Sequence, residues 1–261
     1  MIRERITMKE IFLYGEQIGK GNLILVNGEH GLKSEPERKE LEKIVSHYGE
    51  IFLKRQVFRM MFHIFQEIQC FDEIVPVSGY RSSKEQMAIY ENSKREKGEE
   101  FTKKYVARPN HSEHQTGLAI DLAKNTENID FLCPYFPRKG ICQKFREKAP
   151  LYGFIERYKR GKEETTNIAE EPWHFRYVGY PHSEWMEKGN MTLEEYIEYL
   201  KTFKEEEQHL ITTCKDREFE LFYVPIEEKE RKKISIPDRT FCQASGDNEG
   251  GIILTLWRNL L

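Results

Sequence analysis

The sequence predicts an α+β protein: a central, mostly antiparallel sheet flanked by helices, with a small β-rich C-terminal appendage. Three observations lead there. Short apolar, strand-like runs and amphipathic helical stretches are mixed along the first two hundred or so residues. The last fifty or so residues change character, giving strand after strand broken by turn signals. A hydrophobic content of 38%, with 12% aromatic, is enough for a core. We therefore divide the chain at residue 207, with a main domain at 1–207 and the appendage at 208–261.

Asn22 to Asn27 (NLILVN) reads as a strand, and a short helix is expected at Arg38 to His47 within a charged, loop-like stretch. Lys54 to Cys70 carries Val57, Met61, Ile64, Phe65 and Ile68 at the spacing of an amphipathic helix. Glu73 to Val77 is a strand, and Pro76 inside it argues for an edge position. Ser82 or Ser83 caps a helix from Lys84 to about Lys94. Leu118 to Leu122 is a short buried strand. A short helical piece, then a helix at Ile141 to Ala149, leads to a strand at Tyr152 to Ile155. The polar stretch Arg157 to Asn167 suits a mobile loop beside a cleft. Trp173 to Val178, aromatic and β-branched, is a further strand. Helices then start at Pro181 and at the Thr192/Glu195 capping box. In the appendage, strands are expected at Glu218 to Ile226, Lys233 to Ile236, Thr240 to Ala244 and Ile252 to Trp257.

The formal net charge of -3 argues against a general nucleic-acid binder. No run of eighteen apolar residues is present, so no membrane span is expected. The opening residues show neither an h-region nor a small-residue cleavage site. The five cysteines are scattered and form no C-x-x-C pair, which reads as reduced thiols in a cytoplasmic protein.

Two segments carry chemistry, HSEHQTGLAID (His111 to Asp121) and EEPWHFRYVG (Glu170 to Gly179). Catalytic zinc usually takes three protein ligands from His and Asp/Glu and leaves a fourth position for water. Asp121 is the one charged residue in its apolar strand, where a carboxylate is costly unless it is paired or metal-bound. His114 lies in the loop that feeds this strand, and Gly117 permits the tight turn between them. His174 opens the second strand, and Pro172 keeps Glu171 extended near the same point. The reading is that His114, Asp121 and His174 bind one zinc ion and that Glu171 activates water.

S-x-H-x-x-G-x-A-x-D at Ser112 to Asp121, followed by E-x-W-H at Glu171 to His174, resembles the VanX/VanY group of zinc D,D-peptidases. SGYRSSKEQ at Ser78 to Gln86 fits as well, and the resemblance spans roughly Gly21 to Leu200. It is closest to the bifunctional VanXY branch, through GNLILVN, SGYRS, YGFIERY and EPWHFRYVGYPHS. The resemblance implies zinc on His114, Asp121 and His174, with Glu171 as general base and then proton donor. It also implies Arg81 as the cation facing the oxyanion, and Gln86 and Ser112 as substrate contacts. His111 is set aside as a ligand because the family pattern uses His114. A loop-capping role is the alternative for Ser112. The implied substrates are small peptides ending in D-Ala-D-Ala, free or as cytoplasmic wall precursors, and their loss would remove the target of glycopeptide antibiotics. Two rivals are a lysin-like wall endopeptidase of the same fold and a non-catalytic zinc module.

Overall fold

The computed structural model describes residues 7–46, 49–214 and 216–260. It divides into two compact units, one of Val26–Glu194 and one of Met1–Leu25 with Glu195–Leu261. In chain order the elements are β1 (Met8–Tyr14), β2 (Leu41–Ser46), β3 (Gly49–Lys54), α1 (Arg55–Ile68), β4 (Ile74–Ser78), α2 (Ser83–Lys97) and α3 (Glu99–Tyr105). They continue with β5 (Ala119–Lys124), α4 (Gly140–Lys148), β6 (Phe154–Tyr158), α5 (Glu163–Thr166), β7 (Glu171–Tyr177), α6 (His182–Lys188) and α7 (Leu193–Lys201). β8 (Leu210–Cys214), β9 (Arg217–Pro225), β10 (Arg231–Pro237), β11 (Phe241–Gly246) and β12 (Gly251–Asn259) complete the chain.

The larger unit is built on an antiparallel sheet in the order β4-β5-β7-β6, beside a β2-β3 hairpin. β4 lies at the edge, where Pro76 leaves no interior ladder bond unmade. α1 buries Val57, Met61, Ile64 and Phe65, the stripe expected from its periodicity. Side chains alternate across a strand, so β7 sends Phe175 to the opposite face from His174 and Arg176. Phe175 meets Phe145 of α4 and Phe136 edge-to-face at centroid distances of 4.9 and 5.5 Å, and Phe65 of α1 meets Phe145 at 6.0 Å. This aromatic packing fixes β7 from behind and leaves its other face to chemistry.

The smaller unit pairs β1 with β10 along their whole length, from Met8↔Pro237 to Tyr14↔Arg231. A second antiparallel sheet runs β11-β12-β9-β8. Leu13, Phe222, Val224, Ile234, Ile236, Ile252 and Leu254 form its apolar core. The turn between β11 and β12 is held by Asp247, whose Oδ1 accepts from the amides of Glu249, Gly250 and Gly251.

The structure differs from the sequence reading at several points. The N-terminal strand β1, not expected from the sequence, pairs with β10 of the tail. Asn22 to Asn27 forms no strand; the Leu23 amide bonds the Ser245 hydroxyl and the Leu25 amide the Asp247 carbonyl. The expected helix at Arg38 to His47 is a single 3-10 turn at Arg38–Glu40 followed by β2; His47 lies outside the described residues. No helical piece lies between Asn125 and Lys139. Arg157 and Tyr158 are not loop residues but the buried end of β6.

Candidate active site

Asp121 of β5 and His174 of β7 are direct cross-strand partners, so one register places a carboxylate and an imidazole side by side on one face. His114 arrives from a 3-10 turn, Glu113–Thr116, that ends at Gly117 with φ +69, the left-handed turn that glycine permits. The two imidazole rings meet edge-to-face at 4.9 Å. One ligand atom from each of His114, Asp121 and His174 lies within 4.8 Å of the others, and all three residues are buried. His111 stands apart, with its Nδ1 2.7 Å from the Asn27 carbonyl.

The outer nitrogens decide which atoms face inward. His114 Nδ1 lies 2.7 Å from the Gly79 carbonyl, which leaves Nε2, 3.1 Å from Asp121 Oδ2, as the inward atom. Gly79 can bring its carbonyl there because it has no side chain; a Cβ would meet the Phe52 carbonyl oxygen at 2.5 Å. His174 is reversed. Its Nε2 lies 3.4 Å from Glu113 Oε2, and its Nδ1 turns inward, 3.0 Å from Asp121 Oδ1. Two imidazoles with their far nitrogens occupied, and a buried carboxylate between them, form a donor set that fits a tetrahedral zinc ion with one open position.

Glu171 lies beside this set, its Oε2 3.7 Å from His174 Nδ1. Burial pushes its carboxyl up to about 8. Burial, with Arg81 alongside, holds His114 down to about 4, so its ring is neutral. Burial also opposes a charge on His174, but the hydrogen bonds to Asp121 and Glu113 outweigh it and raise the metal-free ring to about 9. Asp121 pays a desolvation penalty too, yet His114 and His174 hold it well below the carboxylate range.

Arg81 reaches Asp121 Oδ2 with Nη2 at 2.9 Å, Ser78 Oγ with Nε at 2.8 Å and Gln86 Oε1 with Nη1 at 3.4 Å. Gln86 follows the Ser82/Glu85 capping box that starts α2, and its amide donates to the Ala107 carbonyl at 2.6 Å. Ser112 is buried and makes no capping bond to the turn it precedes. All seven residues singled out in the sequence line one cavity of about 40 Å³. A cavity of about 290 Å³ shares Arg81 and Leu132 with it. Another, of about 210 Å³, shares Val106, Ala107, Tyr158 and Ile168. A larger hollow of about 400 Å³ holds none of the metal set. Its charges neutralise one another, Arg138 with Glu156 and Glu170, Arg146 with Glu156, and Lys159 with Glu187.

Sequence reasoning missed Glu113, Arg157, Arg176 and Tyr158. Glu113 sits between two motif residues yet is fully buried and accepts from both arginines at 2.8 Å. Tyr158 packs its ring 5.0 Å from that of His174. The available signal was a charged residue repeated inside apolar strand text: Arg157 in GFIERY and Arg176 in WHFRYV.

The titrations have a consequence for the metal-free protein. Glu171 moves from 4.5 up to about 8 and His174 from 6.5 up to about 9 on folding. A raised folded value contributes stability that is lost as pH rises through it, so both weaken the fold between pH 6.5 and 8. His114 and His182 move from 6.5 down to about 4 and about 3, and so favour the fold as pH climbs toward 6.5. Chelator-treated protein is therefore expected to melt highest near pH 6.5 and lower at pH 8. A melting temperature still rising at pH 8 would contradict these assignments.

Comparison with known proteins agrees with the geometry. Residues 50–180 match the VanY family model, described as D-alanyl-D-alanine carboxypeptidase. The chain is 40% identical over 179 residues to the bifunctional D-Ala-D-Ala dipeptidase and carboxypeptidase VanXYC of Enterococcus gallinarum, covering 68% of this chain and 94% of that protein. It is 30% identical over 254 residues to a D-alanyl-D-alanine carboxypeptidase of Enterococcus faecium, covering 93% and 77%. The crystal structure of the vancomycin resistance D,D-dipeptidase VanXYg with a D-Ala-D-Ala phosphinate analog superposes with a TM-score of 0.91 at 46% identity, over 97% of this chain and 100% of that one. A D,D-pentapeptidase VanY from a VanB-type resistance cassette, in complex with Zn(II), matches at 26% identity and a TM-score of 0.52, over 67% and 98%. With this match and the buried His114, Asp121 and His174 set, the chain belongs to the VanY family of D-alanyl-D-alanine carboxypeptidases.

Proposed function

We propose that this chain is a zinc peptidase that hydrolyses the peptide bond to a C-terminal D-alanine, in free D-Ala-D-Ala and in pentapeptide wall precursors. The observation that carries the reading is the convergence of His114, Asp121 and His174 within 4.8 Å, with Glu171 beside them. The substrate class follows from the relatives, which are D-Ala-D-Ala dipeptidases and carboxypeptidases. We assign catalysis to the unit Val26–Glu194, which holds every residue of the site. Among the described residues no helix is long and apolar enough to cross a membrane. We place the enzyme in the cytoplasm, a reading supported by five cysteines present as free thiols.

Zinc, when bound, polarises the scissile carbonyl and acidifies a water. Glu171 sits in a dry site beside the metal set; the positive charge of zinc there would favour its ionised form, and that carboxylate would take a proton from water and pass it to the leaving amine of D-alanine. Arg81 presents a permanently charged fork toward the oxyanion and also orients Asp121. Gln86 and Ser112 face the same cavity and contact the substrate backbone or carboxylate. The chain thus adds water across one amide, releasing D-alanine and a shortened peptide.

The test is D-alanine release from D-Ala-D-Ala and from the pentapeptide precursor, each with and without a chelator. Release that stops with chelator and returns with zinc is expected. No release from either substrate by zinc-loaded protein would overturn the proposal.

A further inference from the structure

We propose that Glu113 is a positioning residue for the metal centre, holding His174 in the tautomer that presents Nδ1 inward. The inference rests on the zinc reading above and adds a residue to it. Glu113 divides its carboxylate between two tasks. Oε1 accepts from Arg157 Nε and from Arg176 Nη1, each at 2.8 Å, while Oε2 faces His174 Nε2 at 3.4 Å. The side chains of Glu113, Arg157 and Arg176 are all fully buried. Arg157 also grips Glu194 through both terminal nitrogens, at 2.9 and 2.7 Å. Two carboxylates thus balance two guanidiniums, and the cluster is neutral without His174.

That balance separates anchoring from positioning. The arginines fix where the Glu113 carboxylate sits, and a carboxylate paired with them offers Nε2 only acceptor oxygens and no proton. An acceptor facing Nε2 draws the imidazole proton to that nitrogen and frees the Nδ1 lone pair. The same strand supplies both ends of the device, since Arg176 lies two residues beyond His174 on the same face of β7. His114 achieves the opposite tautomer with a backbone carbonyl, that of Gly79. The two metal imidazoles are therefore set by two different acceptors and present different nitrogens.

The test compares Glu113→Gln with Glu194→Gln. Glu194 belongs to the same ion cluster but bonds Arg157 and Asn27 rather than His174. An amide at 113 can turn its oxygen to the arginines, but its NH2 then faces Nε2 and favours the wrong tautomer. Both variants are expected to lower the melting temperature of metal-free protein. Only Glu113→Gln is expected to weaken zinc binding, by about 10–100-fold in competition with a chromophoric chelator, with kcat falling and KM for D-Ala-D-Ala within about twofold. Equal losses in the two variants, or wild-type affinity in Glu113→Gln, would overturn the proposal. If Glu113→Gln does not fold, 15N-histidine spectra of zinc-loaded wild-type protein decide. Nε2 of His174 protonated and Nδ1 metallated supports the proposal; the reverse overturns it. Failure of wild-type protein to bind zinc would instead count against the underlying peptidase reading.

Discussion

Replacing Glu171 with glutamine is expected to lower kcat for D-alanine release by about 10²–10⁴-fold, the usual contribution of a positioned acid–base group. The amide keeps the shape of the side chain but can neither take a proton from water nor deliver one to an amine. Glu171 is not one of the three residues whose ligand atoms converge, so zinc is expected to stay bound and KM to change little. The substitution also removes a buried carboxyl pushed up to about 8, so metal-free Glu171→Gln protein should lose less stability than wild type between pH 6.5 and 8. Steady-state kinetics and zinc content on one preparation check the first two points. Wild-type kcat with zinc bound would remove Glu171 from the mechanism, and zinc loss would make it a ligand.

Replacing Asp121 with alanine is expected to be more damaging to the fold. Its carboxylate meets Arg81 Nη2 at 2.9 Å, His174 Nδ1 at 3.0 Å and His114 Nε2 at 3.1 Å. Removing it leaves buried cationic and imidazole groups without their acceptor, a change that costs about 3–5 kcal/mol for a buried pair. Zinc affinity should fall beyond the about 10–100-fold typical of losing an outer-shell partner, because a ligand itself is gone. Denaturant unfolding of metal-free protein and chelator competition measure the two losses separately. Asp121→Asn, which keeps the volume and one oxygen, should recover part of the stability but little of the affinity.

The parts of the molecule legible in the sequence are those whose causes are local. The spacing of Val57, Met61, Ile64 and Phe65 describes α1, and Ser82, one of the two caps expected, starts α2. Pro76 marks β4 as an edge. Asp121 and His174 stand out as polar residues in apolar strand text, and His114 through the motif that leads into β5. What stayed hidden depends on partners from distant segments. β1 is a strand because β10 lies beside it, and nothing within MKEIFLY shows this. Leu41, Ile44 and Val45 fall at helical spacing, yet pairing with β3 makes them a strand. Nothing in HSEHQTG marks Glu113 as buried, and its role is visible only once Arg157 of β6 and Arg176 of β7 close on it.

Anomalous diffraction at the zinc edge, on crystals of zinc-loaded wild-type protein, tests the central claim most directly. One peak per chain is expected, about 2.0–2.2 Å from His114 Nε2, an Asp121 carboxylate oxygen and His174 Nδ1, with Glu171 close by but unbound. A chain that takes up no zinc among these three side chains, or holds it on a different set, would contradict the account.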